Sequence, residues 1–154
     1  MYGCKAEPPL LLPPADWELA AQEFDPAPEH RPVDGECPDG SWYEEQDSLE
    51  VDTELCTYAL LTQDLGADIH ASQSWELSLW HARLWAPEAT QAHAMLVVDD
   101  EIIFELLVEI PAQTDIYPMS GSFSDEHDAL APVVLHLHNH GANTWKLSGL
   151  KSGP

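Results

Sequence analysis

Apolar and polar residues alternate in several short runs after residue 40. The clearest run is 102–110, which ends at Pro111. One face carries Glu105 and Glu109, and the apolar face expected in the core carries Ile102, Phe104, Leu106, Val108 and Ile110. A second run, 49–55, alternates Leu, Val and Thr with acidic residues. Because successive side chains of a strand point to opposite faces, these runs predict strands with one buried and one solvated face.

Similar segments extend this pattern over most of the chain. Asp99-Asp100 predicts a tight turn between two of them, whereas the polar stretch 112–131 predicts a long loop. The further predicted strands are 75–85, 92–98, 133–140 and 144–150. Roughly seven or eight short strands without an amphipathic helix of ordinary length predict an all-β fold, an antiparallel β-sandwich or jelly roll.

Proline is concentrated in residues 5–40. This density excludes a long helix or a central strand, because proline lacks the backbone N–H and fixes φ. We expect residues 1–40 to form a Pro-rich N-terminal arm, either a semi-rigid tether or a segment laid over a sheet. Residues 41–150 then form a single β-sandwich domain, and residues 151–154 form a C-terminal tail.

The charge of the chain limits the classes of partner that it can bind. Asp and Glu number 28 against 5 Lys and Arg, which gives a net charge of −23. A phosphate backbone needs basic residues to neutralise it, so nucleic acid and anionic lipid surfaces are excluded, while cations are natural partners. No apolar stretch reaches the roughly 18 residues of a membrane-spanning helix, so no transmembrane segment is expected.

The three cysteines carry two separate predictions. A disulfide between Cys37 and Cys56 would close a modest loop and require an oxidising compartment, with two buried thiols as the alternative. Cys4 follows Met-Tyr-Gly, a start that resembles the end of a bacterial lipoprotein signal, although the apolar segment that should precede it is missing. The resemblance implies a lipid anchor on Cys4 and a location outside the cytoplasm, at the cell surface, in the periplasm or secreted.

Three histidines share one face of a predicted strand. His136, His138 and His140 alternate with apolar residues in the run 133–140, so their imidazoles would project together. Neutral imidazole is a common ligand, and this arrangement suits a transition-metal ion. A solvated strand face near a sheet edge is the alternative.

The His-x-His pair at 136–138 resembles an element of cupins and of α-carbonic anhydrases. The further ligands that those families place downstream are missing, so we adopt neither family and expect additional ligands from earlier strands. His81 and His93 are the candidates, and for His81 a buried, hydrogen-bonded imidazole is the alternative. Imidazole-rich ligation favours zinc or copper over calcium.

Six tryptophans are many for a chain of 154 residues. Indole rings pack on the C–H faces of sugars, so exposed tryptophans would form a glycan-binding platform. Trp80 and Trp145 are the candidates for such a platform. Core packing is the alternative, since tryptophan in a small sandwich is commonly buried.

Three functional hypotheses follow. The first is an exported, acidic β-sandwich binding module, lipid-anchored at Cys4, with a His-lined zinc or copper site on the 133–140 strand. The second is a metal-dependent enzyme with a three-His centre and an open coordination position. The third is a carbohydrate-binding or structural cell-surface module. We favour a binding role, with a metal ion or a small or glycan ligand as the partner, and the oligomeric state stays open.

Overall fold

The computed structural model describes residues 10–35 and 37–153. Within these ranges no helix is long and apolar enough to cross a membrane. The helical elements described there are short 3-10 turns at Pro14–Asp16, Gln22–Phe24 and Pro28–His30. The strands are β1 (Leu10–Leu11), β2 (Glu18–Leu19), β3 (Trp42–Glu45), β4 (Ser48–Asp52), β5 (Tyr58–Asp64), β6 (Ser74–His81), β7 (Thr90–Val98), β8 (Glu101–Ile110), β9 (Asp115–Ser122), β10 (Pro132–His138), β11 (Thr144–Ser148) and β12 (Leu150–Ser152).

These strands form two antiparallel sheets that pack face to face. The seven-stranded sheet has the order β1-β12-β6-β11-β4-β3, with β9 also paired to β6, and the five-stranded sheet has the order β2-β5-β10-β7-β8. Strands β4 to β11 alone give two four-stranded sheets, β4-β11-β6-β9 and β5-β10-β7-β8, and the chain crosses between them as in a jelly roll. The predicted all-β sandwich is therefore confirmed.

The described residues form twelve strands, more than the roughly seven or eight expected. Most of the additional strands are short edge strands, among them β1 and β2 from the Pro-rich segment. The expected long loop at 112–131 also contains a full strand, β9. Only Tyr117 and Met119 of β9 pack against the core, and both are partly exposed, so this strand shows no clean alternation in the sequence.

Strand β8 departs from the strict alternation that its sequence suggests. The pairing of β7 with β8 shifts between Leu96 and Val97, which is an irregularity of the β-bulge kind. As a result Ile103 and Phe104 are both buried, whereas Ile102 is 54% exposed. The prediction that Ile102 lies on the buried face was wrong, because a bulge changes the face of every residue beyond it.

The apolar core fills the space between the sheets. Val133, Leu135 and Leu137 of β10 belong to the same buried cluster as Leu77 and Leu79 of β6. Because these residues take one side of each strand, their alternating neighbours are directed to the outer faces of the sandwich. The functional candidates lie on those outer faces.

Residues 10–35 lie against both sheets. β1 pairs with β12 and β2 pairs with β5, so the segment contributes an edge strand to each sheet. Leu11 and Trp17 are buried, and the carbonyl of Trp17 accepts a 3.1 Å hydrogen bond from the indole of Trp42. Proline is tolerated in such edge positions because an edge strand leaves some of its N–H groups unpaired.

The Cys37–Cys56 disulfide is present, as predicted, with 4.7 Å between the two Cα atoms. It ties the end of the Pro-rich segment to the turn before β5. The predicted lipidation site, Cys4, lies outside the described residues and stays a prediction.

Candidate functional site

The two sheets present different outer faces. We call the outer face of the five-stranded sheet the His face, defined by His93, His136 and His138. We call the outer face of the seven-stranded sheet the open face, defined by Tyr43 and Trp80. Each face carries residues that the sequence singled out, and the apolar core separates them.

Two of the three predicted strand histidines lie together on the His face. His136 and His138 alternate with core-facing residues of β10, and both are buried. His140 lies beyond the end of β10, yet its ring centroid is 4.1 Å from that of His138. The shared face expected from the alternation is thus present within the strand, and His140 is brought to it by ring packing.

His93 joins this cluster and His81 does not. His93 lies opposite His138 in the β7–β10 pairing, with its ring centroid 5.0 Å from that of His136. His81 is fully buried in β6 of the other sheet, on the side that faces the core. Its Nδ1 lies 2.7 Å from the carbonyl of Ala82 and its Nε2 lies 3.2 Å from the hydroxyl of Tyr117. His81 is therefore a hydrogen-bonded core imidazole, the alternative that its apolar strand face indicated.

The Pro-rich segment supplies a further histidine that sequence reasoning missed. His30 lies in the last 3-10 turn of the segment, with ring centroids 5.3 Å from His93 and 5.9 Å from His138. No signal in the sequence connected position 30 with positions more than 60 residues away. Only the packing of the segment on the His face reveals the contact.

Asp25 anchors the same segment to the His face. Its Oδ1 accepts a 3.1 Å hydrogen bond from the amide of Ala27 and lies 3.1 Å from Nδ1 of His136. Its Oδ2 accepts hydrogen bonds from the hydroxyl of Tyr58 and from Arg31, the latter at 3.1 Å. Burial raises the pKa of Asp25, but the hydrogen bonds from Tyr58 and Ala27 and the nearby His136 lower it by more, so the carboxyl is ionised at neutral pH.

Burial keeps the imidazoles of β10 neutral. Burial lowers the pKa of His136 to about 4, and the charge of Asp25 only partly opposes this shift. Burial also lowers the pKa of His138 to about 4, with a further contribution from neighbouring imidazoles such as His140. Neutral imidazoles have a lone pair on one ring nitrogen and can accept a hydrogen bond or bind a metal. Across residues 10–35 and 37–153, however, no group of three His, Cys, Asp or Glu side chains is arranged to hold a metal ion.

The open face carries a row of side chains that runs across five strands. Tyr43 lies opposite Glu50, and Glu50 lies opposite Lys146. Lys146 in turn lies opposite Trp80, and Trp80 lies opposite Ile116. Neighbouring strands are about 4.8 Å apart, so the strands that carry Tyr43 and Trp80 are separated by about 14 Å.

Charged groups hold this row in place. The ammonium group of Lys146 lies 5.6 Å from the ring centroid of Trp80 and 3.1 Å from Oε2 of Glu50. Lys146 also pairs with Glu45, and the hydroxyl of Tyr43 donates a 2.8 Å hydrogen bond to Oε1 of Glu50. The hydrogen bonds with Glu45 and Glu50 raise the pKa of Lys146, so its charge persists at neutral pH.

A groove follows β6 on the open face. One stretch of about 410 Å³ and a second of about 450 Å³ share Glu76, Ser120 and Lys151 as lining residues. Ser78, one pleat from Trp80 on β6, lines the first stretch. Hydroxyl, carboxylate and ammonium groups thus lie along a groove that runs beside an indole ring.

The two predicted platform tryptophans are in different environments. Trp80 is partly exposed on the open face, next to Lys146. Trp145 is 1% exposed and belongs to the core cluster, with its ring centroid 4.8 Å from that of His81. Trp145 therefore cannot stack on a ligand at the surface, because its side of β11 faces the core.

Comparison with known proteins bears on the fold. No protein-family model matches the chain, and no curated protein matches its sequence. Among solved structures, the chain is similar to a family 4 carbohydrate-binding module, with a TM-score of 0.50 and 10% identity over 92% of this chain and 88% of that chain. It is also similar to a family 16 carbohydrate-binding module, with a TM-score of 0.43 and 9% identity over 76% of this chain and 89% of that chain. At 10% identity, the likeness to the first of these structures shows the β-sandwich fold alone.

Proposed function

We propose that the protein is a carbohydrate-binding module whose open face binds an uncharged, linear glycan. The observation that carries the proposal is the position of Trp80, partly exposed beside a polar groove on a broad sheet surface. An indole ring offers a large apolar area for the C–H face of a sugar, while the groove supplies hydrogen-bonding groups for its hydroxyls.

The geometry of the open face favours a chain of sugars over a single one. Ser78 and Ser74, which line the groove, are separated by about 14 Å along β6, a distance that an oligosaccharide spans and one sugar ring does not. The groove lies on the same face and continues from Ser78 past Glu76 towards Ser122. A linear glycan lying along β6 would meet Trp80 at one end and the shared groove residues at the other.

The charge of the chain favours neutral glycans. With a net charge of −23, the protein repels polyuronates and sulfated polysaccharides at low ionic strength. Lys146 is already paired with Glu45 and Glu50, so it adds no free positive charge for an acidic sugar. The preferred ligand is therefore a neutral polysaccharide.

We also propose a location outside the cytoplasm, which the Cys37–Cys56 disulfide supports because such bonds persist in oxidising compartments. The lipid anchor at Cys4 and the metal-dependent enzyme stay predictions. A mass determination of the protein isolated from membranes of its native cells would test the anchor, since acylation of Cys4 adds the mass of the lipid.

Affinity electrophoresis in gels that contain cellulose derivatives, xylan, mannan, galactan or mixed-linkage glucan tests glycan binding. We expect at least one neutral polysaccharide to retard the full chain, and alginate to have no effect. Trp80→Ala should lower the affinity at least tenfold, because aromatic anchors commonly dominate binding energies.

Trp85→Ala is the matched control, since Trp85 is 57% exposed in the loop after β6 and is not part of the aromatic row. Its affinity should equal that of the unmodified chain. Absence of retardation on every neutral polysaccharide, or retardation that survives Trp80→Ala, would overturn the proposal.

A further inference from the structure

The His face carries two buried histidines with the same hydrogen-bonding pattern. Nε2 of His93 lies 2.8 Å from Oε1 of Glu105, and Nδ1 of His136 lies 3.1 Å from Oδ1 of Asp25. In each ring the other nitrogen is buried and has no hydrogen-bond partner among the described residues. His136 is fully buried and His93 is 7% exposed, so water does not readily supply the missing partner.

This pattern is typical of metal-binding histidines. A ligating imidazole commonly donates its second N–H to a carboxylate, which fixes the ring and leaves the other nitrogen's lone pair for the metal. A purely structural histidine has no need for a bare, buried nitrogen, since a buried polar atom without a hydrogen-bond partner destabilises the fold. Two such rings lie side by side here, with centroids 5.0 Å apart.

The spacing of the surrounding rings matches a common ligand set in part. Two imidazoles bound to one zinc ion through nitrogens about 2.1 Å away have ring centres roughly 5 to 5.5 Å apart in tetrahedral geometry. The centroid of His30 lies 5.3 Å from that of His93, which fits this spacing. It lies 5.9 Å from that of His138 and 6.5 Å from that of His136, so these rings must approach one another to share an ion.

We propose that His30, His93, His136 and His138 bind one divalent transition-metal ion, zinc or copper. Since these side chains do not converge as they stand, binding requires their ring nitrogens to move towards a common point. Asp25 and Glu105 hold the rings of His136 and His93, whereas the side chain of His30 is 45% exposed and lies 3.8 Å from the carboxylate of Glu29. A cleft of about 430 Å³ lined by His30, His93 and His138 gives the ion a path of entry.

Such an ion would join the Pro-rich segment to the sheet, because His30 belongs to the segment and the other three ligands belong to β7 and β10. The site is distinct from the proposed glycan site, since the core lies between the two faces. Metal binding and glycan binding are therefore independently testable. Trp80→Ala should leave metal binding unchanged, and His30→Gln should leave glycan binding unchanged.

Isothermal titration of the full, untagged chain with ZnCl₂ and with CuCl₂ tests the site, and the content of metal after dialysis gives the stoichiometry. We expect one ion per chain and a rise in the melting temperature on binding. His30→Gln removes a ligand from a half-exposed turn, and Glu105→Gln removes the carboxylate behind His93. Glu105→Gln should weaken binding by at least tenfold, the usual effect of losing an outer carboxylate, and the loss of a direct ligand in His30→Gln should weaken it by at least as much.

His70→Gln and Glu44→Gln are the matched controls. His70 is exposed outside the cluster, and Glu44 is exposed on β3 of the other sheet. Both control variants should bind zinc or copper as the unmodified chain does. Binding well below one ion per chain, or binding that His30→Gln and Glu105→Gln leave unchanged, would overturn the proposal.

Discussion

The open face and the His face belong to the same sandwich and follow the same strand alternation, yet they differ in what covers them. On the open face, Trp80 and Glu76 extend from β6 into solvent or a shallow groove. On the His face, Asp25, Ala27 and His30 lie over β10 and β7, so His136 loses contact with water. Alternation along a strand therefore identifies the side that points away from the core, but it does not show whether solvent reaches that side.

The presence or absence of covering residues changes the charge of the side chains on each face. Lys146 on the open face keeps its charge, because paired carboxylates raise its pKa. His136 under the cover loses its charge at neutral pH, because burial lowers its pKa to about 4. Polar residues on an outer face are thus suited to hydrogen bonding with sugars in one case and to neutral imidazole chemistry in the other.

The largest expected effect is on stability, and it distinguishes the tryptophan in the core from the tryptophan on the open face. Trp145→Ala should lower the free energy of unfolding by about 3–5 kcal/mol, because it leaves a cavity between the sheets. Trp80→Ala should lower it by less than about 1 kcal/mol, since its ring packs at the surface. Urea denaturation followed by far-UV circular dichroism measures both. Equal losses would mean that Trp80 serves packing, which would break the distinction between the core and the open face.

The next largest expected effect tests how the Pro-rich segment is held on the His face. Asp25→Asn should cost about 2–3 kcal/mol, because it removes a buried charge that pairs with Arg31 and accepts from Tyr58. Hydrogen exchange should accelerate in residues 22–31 and stay unchanged in β6. The open-face counterpart, Glu76→Gln, should change stability by no more than about 0.5 kcal/mol. Unchanged protection of residues 22–31 in Asp25→Asn would show that other contacts hold the cover.

The smallest expected effect concerns another buried imidazole, that of His127, whose pKa shift serves as a reference for the histidines of the His face. Nε2 of His127 lies 2.7 Å from Glu101 and Nδ1 lies 3.1 Å from Asp99. Burial lowers the pKa of His127, but the hydrogen bonds with Glu101 and Asp99 raise it by more, so the net shift is upward. Two carboxylates thus favour the charged form of this ring, whereas the single carboxylate beside His136 does not outweigh the effect of burial.

A raised pKa in the folded state stabilises the protein fully below the unfolded value of about 6.5 and loses this contribution as the pH rises through the folded value. His127→Gln should therefore destabilise the chain by about 1 kcal/mol near pH 5.5 and by less near pH 9. Urea denaturation at the two pH values measures the difference. A cost that grows with pH would contradict the upward shift in the pKa of His127.

The sequence predicted the strands whose faces differ sharply and missed those whose faces do not. β6, β7 and β10 lie close to their expected bounds, because core-facing residues recur at every second position. β9 was expected to be a loop, since only Tyr117 and Met119 turn partly towards the core. The bulge in β8 could not be predicted from Ile102 and Ile103, because both residues are apolar and either could face the core.

The residues of the candidate sites also fall into two groups, those that the sequence predicted and those that it missed. Alternation placed Trp80 on an outer face and His136 and His138 side by side, which are local properties of one strand. It did not identify His30 or Asp25, because their contacts with the His face depend on how a Pro-rich segment folds back over more than 60 positions. Its suggestion that His81 belongs to the cluster failed for the opposite reason, since His81 shares the core-facing parity of Leu77 and Leu79.

The pairing of β1 with β12 has a consequence for the order of folding. Leu10 lies opposite Lys151, so two strands near opposite ends of the described chain are neighbours in the seven-stranded sheet. Contacts between such distant positions form slowly, because the loop between them must close first. Gly149 and Lys151 also line the groove on the open face, so the groove is complete only after β12 has been synthesised and has paired with β6. Binding at this groove would therefore report that β12 has joined the sheet.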